Sequence, residues 1–227
     1  MKKTIPVFAL ALALGAVSVG IFLLIGFSGT SVAPNRTYGV VLTEDEQNDD
    51  EKSEPNASKE LTFELASRGN EYIVTGISGR AARIAIPSTF GENELPVTSI
   101  ADGAFAGNDC LISVTLPQSL LQIGSEAFSG CKKLAAIDFP DSLAIIGDRA
   151  FYGCCGLDDI VMPLSLNTVG DFAFFGCTSA RRIFCEAEAK PAGWSDCWCG
   201  YTGVEVLWRG IWRYTGNIPT PDPSQRG

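Results

Sequence analysis

The chain has 227 residues, a formal net charge of −9 and no histidine. The missing histidine excludes Ser-His-Asp and Cys-His catalytic arrangements and removes the commonest ligand of transition metals. The acidic balance, without a basic cluster in the body of the chain, argues against nucleic acid as a partner. The sequence therefore predicts a protein that is not an enzyme, with no catalytic residue, no metal ligand and no cofactor.

The first predicted element is a hydrophobic helix from Ile5 to Phe27, preceded by Lys2 and Lys3. Such a helix spans roughly 34 Å, enough to cross a bilayer core of about 30 Å, and the lysines favour export of the remainder of the chain. An uncleaved signal anchor and a signal peptide cut after Ser31–Ala33 both fit, and the long apolar run favours the anchor. We therefore expect residues 1–33 to be a signal anchor or signal peptide, with a membrane contact through Ile5–Phe27 if it is uncleaved.

The next segment, residues 34–60, is predicted to be an acidic disordered linker. Its second part, Thr43–Glu60, holds eight acidic residues, two lysines and no aromatic residue, so it cannot bury enough apolar surface to order itself. Residues 61–99 are predicted to be an N-terminal cap followed by an irregular first repeat. Within them, Leu61–Gly76 has two β-prone runs around the turn Arg68-Gly69-Asn70, which indicates a hairpin that covers the first coil.

An internal repeat dominates residues 100–191. Four segments of 23 residues align without a gap, and they begin "IADGAFAG", "IGSEAFSG", "IGDRAFYG" and "VGDFAFFG". A unit of 23 residues is too small to bury a core, so the units must stack, each covering its neighbour. The pattern L-x-x-[VI]-x-[LFM]-P in each unit predicts a short strand, and strands stacked at about 4.8 Å form a parallel sheet.

Two glycine positions of the repeat have different predicted causes. Gly107 and its equivalents are invariant across the four units, which predicts a left-handed or crowded backbone. The position of Gly124 is held by Ala101 in the first unit, so it requires a small residue rather than a positive φ. Between them, "AFSGC" is predicted to form a tight helical turn, and Leu120–Ile123 a second short apolar element that leads the chain back.

The stretch "LISVTLPQSLLQIGSEAFSGCKKLAAIDFP" resembles the BspA-type, or Treponema-type, leucine-rich repeats, whose units of about 23 residues share an "IG..AF.GC..L..I.lP.sl" signature. The resemblance is close from Val97 to about Ile183. It implies a right-handed solenoid on a bacterial or protist surface, used in adhesion and protein binding and without catalytic residues. The fold class is then mainly β: a short leucine-rich-repeat solenoid with 23-residue units and a parallel sheet, preceded by a single hydrophobic N-terminal helix. An aromatic C-terminal cap over residues 192–215 and a disordered tail over 216–227 complete the predicted organisation.

The candidate binding site is the exposed, concave face of the repeat sheet. Alternation along each strand points eight residues outward: Ser113, Thr115, Ala136, Asp138, Asp159, Val161, Arg182 and Phe184. Exposed, variable residues on a rigid scaffold predict a site for a protein or glycan ligand on another surface. A structural spacer or self-assembly domain is the alternative. A glycosidase is disfavoured because Asp158 and Asp159, as strand neighbours, point to opposite faces and cannot flank one bond.

The cysteines are predicted to be structural. Cys131, Cys154 and Cys177 share one repeat position and are expected to form a buried, unbridged ladder, because a free cysteine acts as a small hydrophobe. Cys155 has no counterpart in the neighbouring units and is expected to be partly exposed. A disulfide from Cys185 to Cys197 or Cys199 is left open.

All four tryptophans lie beyond the last repeat, at Trp194, Trp198, Trp208 and Trp212. An aromatic plug over the open end of the core is the favoured interpretation. A carbohydrate-stacking patch is the alternative, and it requires exposed rings.

Overall fold

The structure is a computed structural model that describes residues 60–200 and 203–225. These residues fall within one compact unit. The predicted helix Ile5–Phe27 and almost all of the predicted linker 34–60 lie outside the described residues. Within residues 60–200 and 203–225, no helix is long and apolar enough to cross a membrane.

The chain winds as a solenoid whose coils contribute to two parallel ladders. The strands of the first ladder are β2 (Tyr72–Ile77), β5 (Leu95–Ile100), β7 (Gln122–Ile123), β9 (Ile145–Ile146) and β11 (Thr168–Val169). The second ladder consists of two three-stranded parallel segments. The first segment is β3 (Arg83–Ala85), β6 (Ser113–Thr115) and β8 (Ala136–Ile137), and the second is β10 (Ile160–Met162), β12 (Arg182–Cys185) and β13 (Glu205–Leu207). The chain alternates between the ladders, which confirms the mainly β solenoid with parallel strands.

The predicted returning element Leu120–Ile123 is confirmed: it ends in β7, and its equivalents in successive coils build the first ladder. One local prediction is wrong. The predicted helical turn at "AFSGC" is a series of tight turns instead. The helical segment found in the described ranges is a 3-10 turn at Pro223–Gln225.

The core is one continuous column of apolar side chains between the ladders. Its centre is a stack of phenylalanine rings, one from each repeat, with centroids 5.1–5.2 Å apart and planes within 12° of parallel. The stacked residues are Phe105, Phe128, Phe151 and Phe174. All are 2 % exposed or less, so each ring covers the next and no coil has a core of its own.

Side-chain hydrogen bonds to the preceding coil repeat with the sequence. The thiol of Cys131 donates to the carbonyl oxygen of Phe105 at 3.1 Å, and Cys154 donates to that of Phe128 at the same distance. The hydroxyl of Ser142 donates to the carbonyl oxygen of Leu120 at 2.6 Å. The carbonyl oxygens of Phe105 and Phe128 also accept the backbone N–H groups of Asn108 and Cys131 at 3.1 Å. The thiols therefore add a second hydrogen bond at each carbonyl and tie it to the next coil.

The two predicted glycine classes are both observed. Gly107 and its equivalents have φ between 69° and 80°, which favours glycine because it lacks Cβ. Gly124 and Gly147 instead lie against the previous coil: a Cβ on Gly147 would be 2.5 Å from the backbone nitrogen of Ser125. Only a hydrogen fits in that space, so these glycines set how closely two coils approach.

The N-terminal end is closed by the predicted hairpin. Strand β1 (Leu61–Leu65) pairs antiparallel with β2, and β2 in turn pairs parallel with β5. A short strand β4 (Thr89–Phe90) pairs antiparallel with β5 and brings Phe90 onto Phe63, with ring centroids 3.9 Å apart. The antiparallel β1 therefore ends the first ladder.

The C-terminal end is closed by tryptophans and a second hairpin. Trp194 and Trp198 join the main core at 3 % and 4 % exposure, and Trp198 lies edge-on to Phe174 at 6.1 Å. Where residues 216–227 are predicted to be disordered, strand β15 (Ile218–Pro221) pairs with β14 (Trp212–Thr215). The tail is ordered there because Gly216, with φ of 64°, allows a tight turn and Pro219 is buried.

Candidate functional site

The predicted binding residues lie in two rows across the second ladder. The register places Ser113 beside Ala136 in one segment of that ladder and Val161 beside Phe184 in the other. The two segments are separate sheets, and the 23-residue repeat puts Ala136 and Asp159 at equivalent positions of adjacent coils. We call the eight predicted positions the strand face. It consists of Ser113, Thr115, Ala136, Asp138, Asp159, Val161, Arg182 and Phe184.

Exposure agrees with the predicted alternation over most of the strand face. Thr115, Ala136 and Asp138 are exposed, while Val114 and Ile137 between them are buried. Of the remaining positions, Ser113, Asp159, Val161 and Arg182 are half-buried. The strand face therefore presents a mostly polar surface directly above the apolar core.

Phe184 does not belong to this exposed surface, and its predicted exposure is wrong. It is 0 % exposed, because Trp212 of β14 packs on it with ring centroids 5.3 Å apart. The indole nitrogen of Trp212 donates to the carbonyl oxygen of Cys185 at 3.0 Å, and Val161 and Tyr214 pack at the edge of this small cluster. The C-terminal hairpin thus covers the end of the strand face nearest to it.

Asp159 and Arg182 form an ion pair on the strand face at 2.5 Å. The Asp159 carboxylate also accepts the backbone N–H groups of Arg182 at 2.9 Å and Arg181 at 3.2 Å. The Arg182 guanidinium lies 5.4 Å from the centre of the Phe184 ring. These contacts fix both side chains and partly neutralise their charges, so Asp159 does not have the character of a free catalytic acid.

The cysteine ladder is buried and unbridged, as predicted. All eight cysteines lie in the described ranges and all are free thiols. Burial raises the pKa of Cys131 to about 11 and those of Cys177 and Cys185 to about 12. Burial also raises the pKa of Cys154, and repulsion from its ladder neighbours adds to it. These thiols stay protonated at neutral pH, which removes them as nucleophiles.

Cys155 is exposed whereas Cys154 is fully buried, as predicted from the repeat. The disulfide left open for Cys185 is not formed in the structure. Burial raises the pKa of the Cys185 thiol, and repulsion from Cys199 raises it further.

The tryptophans support the plug and not the carbohydrate patch. Trp194, Trp198 and Trp212 are at most 4 % exposed. Trp194 also uses its indole N–H on the carbonyl oxygen of Leu166 at 3.0 Å. Their ring faces are therefore closed to a sugar, and Trp208 is half-buried against the same core.

An aromatic pocket on the turns between the ladders was not predicted from the repeat, and we call it the turn-edge pocket. It is lined by Glu126, Ser129, Arg149, Tyr152, Phe172 and Phe175, with a volume of about 450 Å³. Its residues occupy two repeat positions, one just after the buried phenylalanine and one two residues before it. The signal was present in "RAFYG" and "FAFFG", where aromatic residues stand at a turn position that other units fill with small ones.

Comparisons with known proteins agree with this architecture. Residues 98–193 match the family model described as the BspA type leucine rich repeat region, in six copies. A leucine-rich repeat protein of T. pallidum is 25% identical with a TM-score of 0.50, over 68% of this chain and 86% of that protein. One from Bacteroides ovatus is 29% identical with a TM-score of 0.52, over 66% of this chain and 36% of that protein. No curated protein sequence matches significantly.

Proposed function

We propose that this chain, which carries BspA-type leucine-rich repeats, is a non-enzymatic binding protein of the cell surface or the secreted fraction. Its role would be adhesion or protein binding through the strand face. Leucine-rich repeat domains are in general non-enzymatic scaffolds that bind protein partners. Export through the predicted hydrophobic segment Ile5–Phe27 is part of the same proposal.

The observation that carries the proposal is the contrast between the surface and its support. Thr115 and Ala136 are exposed on strands, and Asp138 directly after one, while Val114 and Ile137 between them are almost fully buried. A partner would therefore meet side chains whose backbone is already fixed, which lowers the entropy cost of binding. The exposed part from Ser113 to Arg182 crosses four coils, or about 15 Å. A patch of that length covers less area than a standard protein–protein interface. We therefore expect each contact to be weak and binding to need several contacts at once.

Replacing Ala136 with arginine tests the strand face. Ala136 is small and exposed, so Ala136→Arg adds a bulky cation at the centre of the surface without entering the core. Gln122→Arg is the matched control, because Gln122 is equally an exposed strand residue but lies on the first ladder. The purified full chain is applied to an array of extracellular proteins and glycans, and each hit is measured with both variants.

We expect Ala136→Arg to weaken protein hits at least tenfold and Gln122→Arg to leave them unchanged. Equal binding by both variants would exclude the strand face as the contact. If the array gives no hit and light scattering finds concentration-dependent oligomers, self-assembly replaces ligand binding as the function.

A further inference from the structure

We infer that the turn-edge pocket is a second binding site, separate from the strand face, and that it takes the ring of a neutral sugar. The site would stack a pyranose on the open face of Tyr152 and hold its hydroxyl groups between Arg149 and Glu126. Two features of the pocket lead to this assignment: a stack of rings with one step missing, and a pair of opposite charges beside that step.

The first feature is a column of side chains just outside the buried phenylalanine stack. Successive coils place Ala106, Ser129, Tyr152 and Phe175 at this position, and hydrogen bonds between adjacent turns keep the column aligned: the N–H of Gly130 donates to the carbonyl oxygen of Tyr152 at 2.7 Å. The rings of Tyr152 and Phe175 are stacked, with centroids 5.4 Å apart and planes 10° from parallel. Phe172 lies edge-on to Phe175 at 5.9 Å.

The stack stops at Ser129. Tyr152 is covered by Phe175 on one face, while the coil on its other face supplies only a small hydroxyl side chain. Tyr152 is 41 % exposed, which is high for an aromatic residue on a close-packed solenoid. A ligand with one flat ring would therefore fit above Ser129, where it would stack on the open face of Tyr152.

The second feature decides what kind of ring fits. Arg149 and Glu126 flank the same step and form an ion pair at 3.7 Å, with both side chains about half exposed. A guanidinium only donates hydrogen bonds and a carboxylate only accepts them. Vicinal hydroxyl groups do both, so a sugar satisfies the pair. A charged ligand would be opposed by one of the two, and a purely apolar ring would leave both without a ligand contact.

The backbone gives independent support. Glu126, Arg149 and Phe172 have φ of 56°, 52° and 55°, a left-handed conformation that the first repeat fills with Gly103. Side chains are disfavoured there relative to glycine, and exposed ion pairs contribute little to stability. Three large side chains therefore occupy positions where the fold alone would favour glycine, and residues held in this region cluster at binding sites.

The test uses methyl pyranosides of glucose, galactose and N-acetylglucosamine, added to the purified full chain and followed by saturation-transfer NMR. We expect a dissociation constant of about 1 mM, as for a small ligand in an open site. The double variant Glu126→Gly with Arg149→Gly should abolish the signal while the melting temperature stays equal or rises, because glycine suits the left-handed backbone. Ser129→Tyr should also abolish the signal, because the added ring would stack on Tyr152 in the place proposed for the sugar.

Two controls separate this site from the strand face. Ala136→Arg should leave pyranoside binding unchanged, so loss of strand-face binding and loss of sugar binding are distinguishable. N-acetyl-phenylalanine amide is the competing probe. A response to that probe without any response to the pyranosides would overturn the sugar assignment in favour of an aromatic peptide side chain. Unchanged sugar binding in Ser129→Tyr would overturn the location.

Discussion

Phe151 and Tyr152 are neighbours in the chain but belong to columns with opposite properties. The column of Phe151 has the same residue in four successive coils, and the rings of Phe128 and Phe151 are each buried between two others. The column of Tyr152 has a different residue in every coil and faces solvent at the turn. A buried stack accepts only the residue that matches its neighbours above and below, whereas the surface column is free to vary. Cys154 and Cys155 repeat the same contrast three residues later.

Replacing the two aromatic residues gives the largest expected difference. Phe151→Ala should lower the free energy of unfolding by about 3–5 kcal/mol, because it removes a ring from the centre of the stack and leaves a cavity. Tyr152→Ala should cost less than about 1.5 kcal/mol, the range of one exposed aromatic pair. Urea unfolding followed by circular dichroism measures both. Similar losses would show that the column of Tyr152 contributes as much to stability as the buried column of Phe151.

The buried cysteines should make the fold sensitive to alkali. Burial raises the pKa of Cys131 from 9.0 to about 11 in the folded state. A raised pKa contributes stability that is fully present below about pH 9 and is lost as the pH rises towards 11. This single thiol then accounts for about 3 kcal/mol, since one pKa unit corresponds to roughly 1.4 kcal/mol.

Cys131→Ser is the variant that isolates this effect, because its hydroxyl donates a hydrogen bond and does not ionise in this range. Its free energy of unfolding should fall less steeply than that of the wild type between pH 9 and pH 11. Parallel pH profiles for the two proteins would mean that the ladder thiol is already open to solvent.

The glycines separate coil spacing from backbone conformation. A Cβ at Gly147 would come within 3 Å of backbone atoms of the preceding coil, so Gly147→Ala must push two coils apart and should cost about 1–3 kcal/mol. Gly103→Ala meets nothing within 4 Å and adopts a φ that Glu126 already tolerates. It should cost about 1 kcal/mol. Thermal melts of the two variants compare them, and the reverse order would contradict the proposed role of Gly147.

Chemical modification of thiols in the native protein is the smallest change, because it leaves the fold intact. Iodoacetamide applied to the native protein should modify Cys155 well before Cys154, because Cys155 is exposed while Cys154 is buried and protonated. Peptide mass spectrometry resolves the two adjacent sites after digestion. Equal modification rates in the native state would mean that the buried cysteine ladder opens locally.

The repeat predicted the inner column well because its residues contact their own equivalents. Phe128 packs on Phe105 and Phe151, so a period of 23 residues alone identifies the contact. The element Leu120–Ile123 is predicted from its apolar residues, but its pairing into a ladder is not. A strand of two residues is too short to show the alternation by which strands are recognised.

The candidate site was predicted only in part. Alternation correctly placed Phe184 on the same side of the sheet as Val161, but it says nothing about what lies above that side. Trp212 covers Phe184 from a segment outside the repeat. The dipeptide Gly216-Asn217 is a typical hairpin turn and follows the strand that carries Trp212, but residues 216–227 are predicted to be a disordered tail. The turn-edge pocket is not predicted, because its residues differ from one unit to the next and therefore contribute nothing to the repeat pattern.

The contact between coils at Gly147 has an evolutionary consequence. The coils that begin at Ile123, Ile146 and Val169 share the same glycine, phenylalanine and cysteine positions. Deletion of residues 124–146 would therefore join Ile123 to Gly147 and restore equivalent contacts. Recombination within the gene can therefore add or remove a whole unit without designing a new interface. Each such event would lengthen or shorten the strand face and the column of Tyr152 by one coil while the buried phenylalanine stack kept its geometry. The number of coils is thus a quantity that selection can adjust independently of the fold.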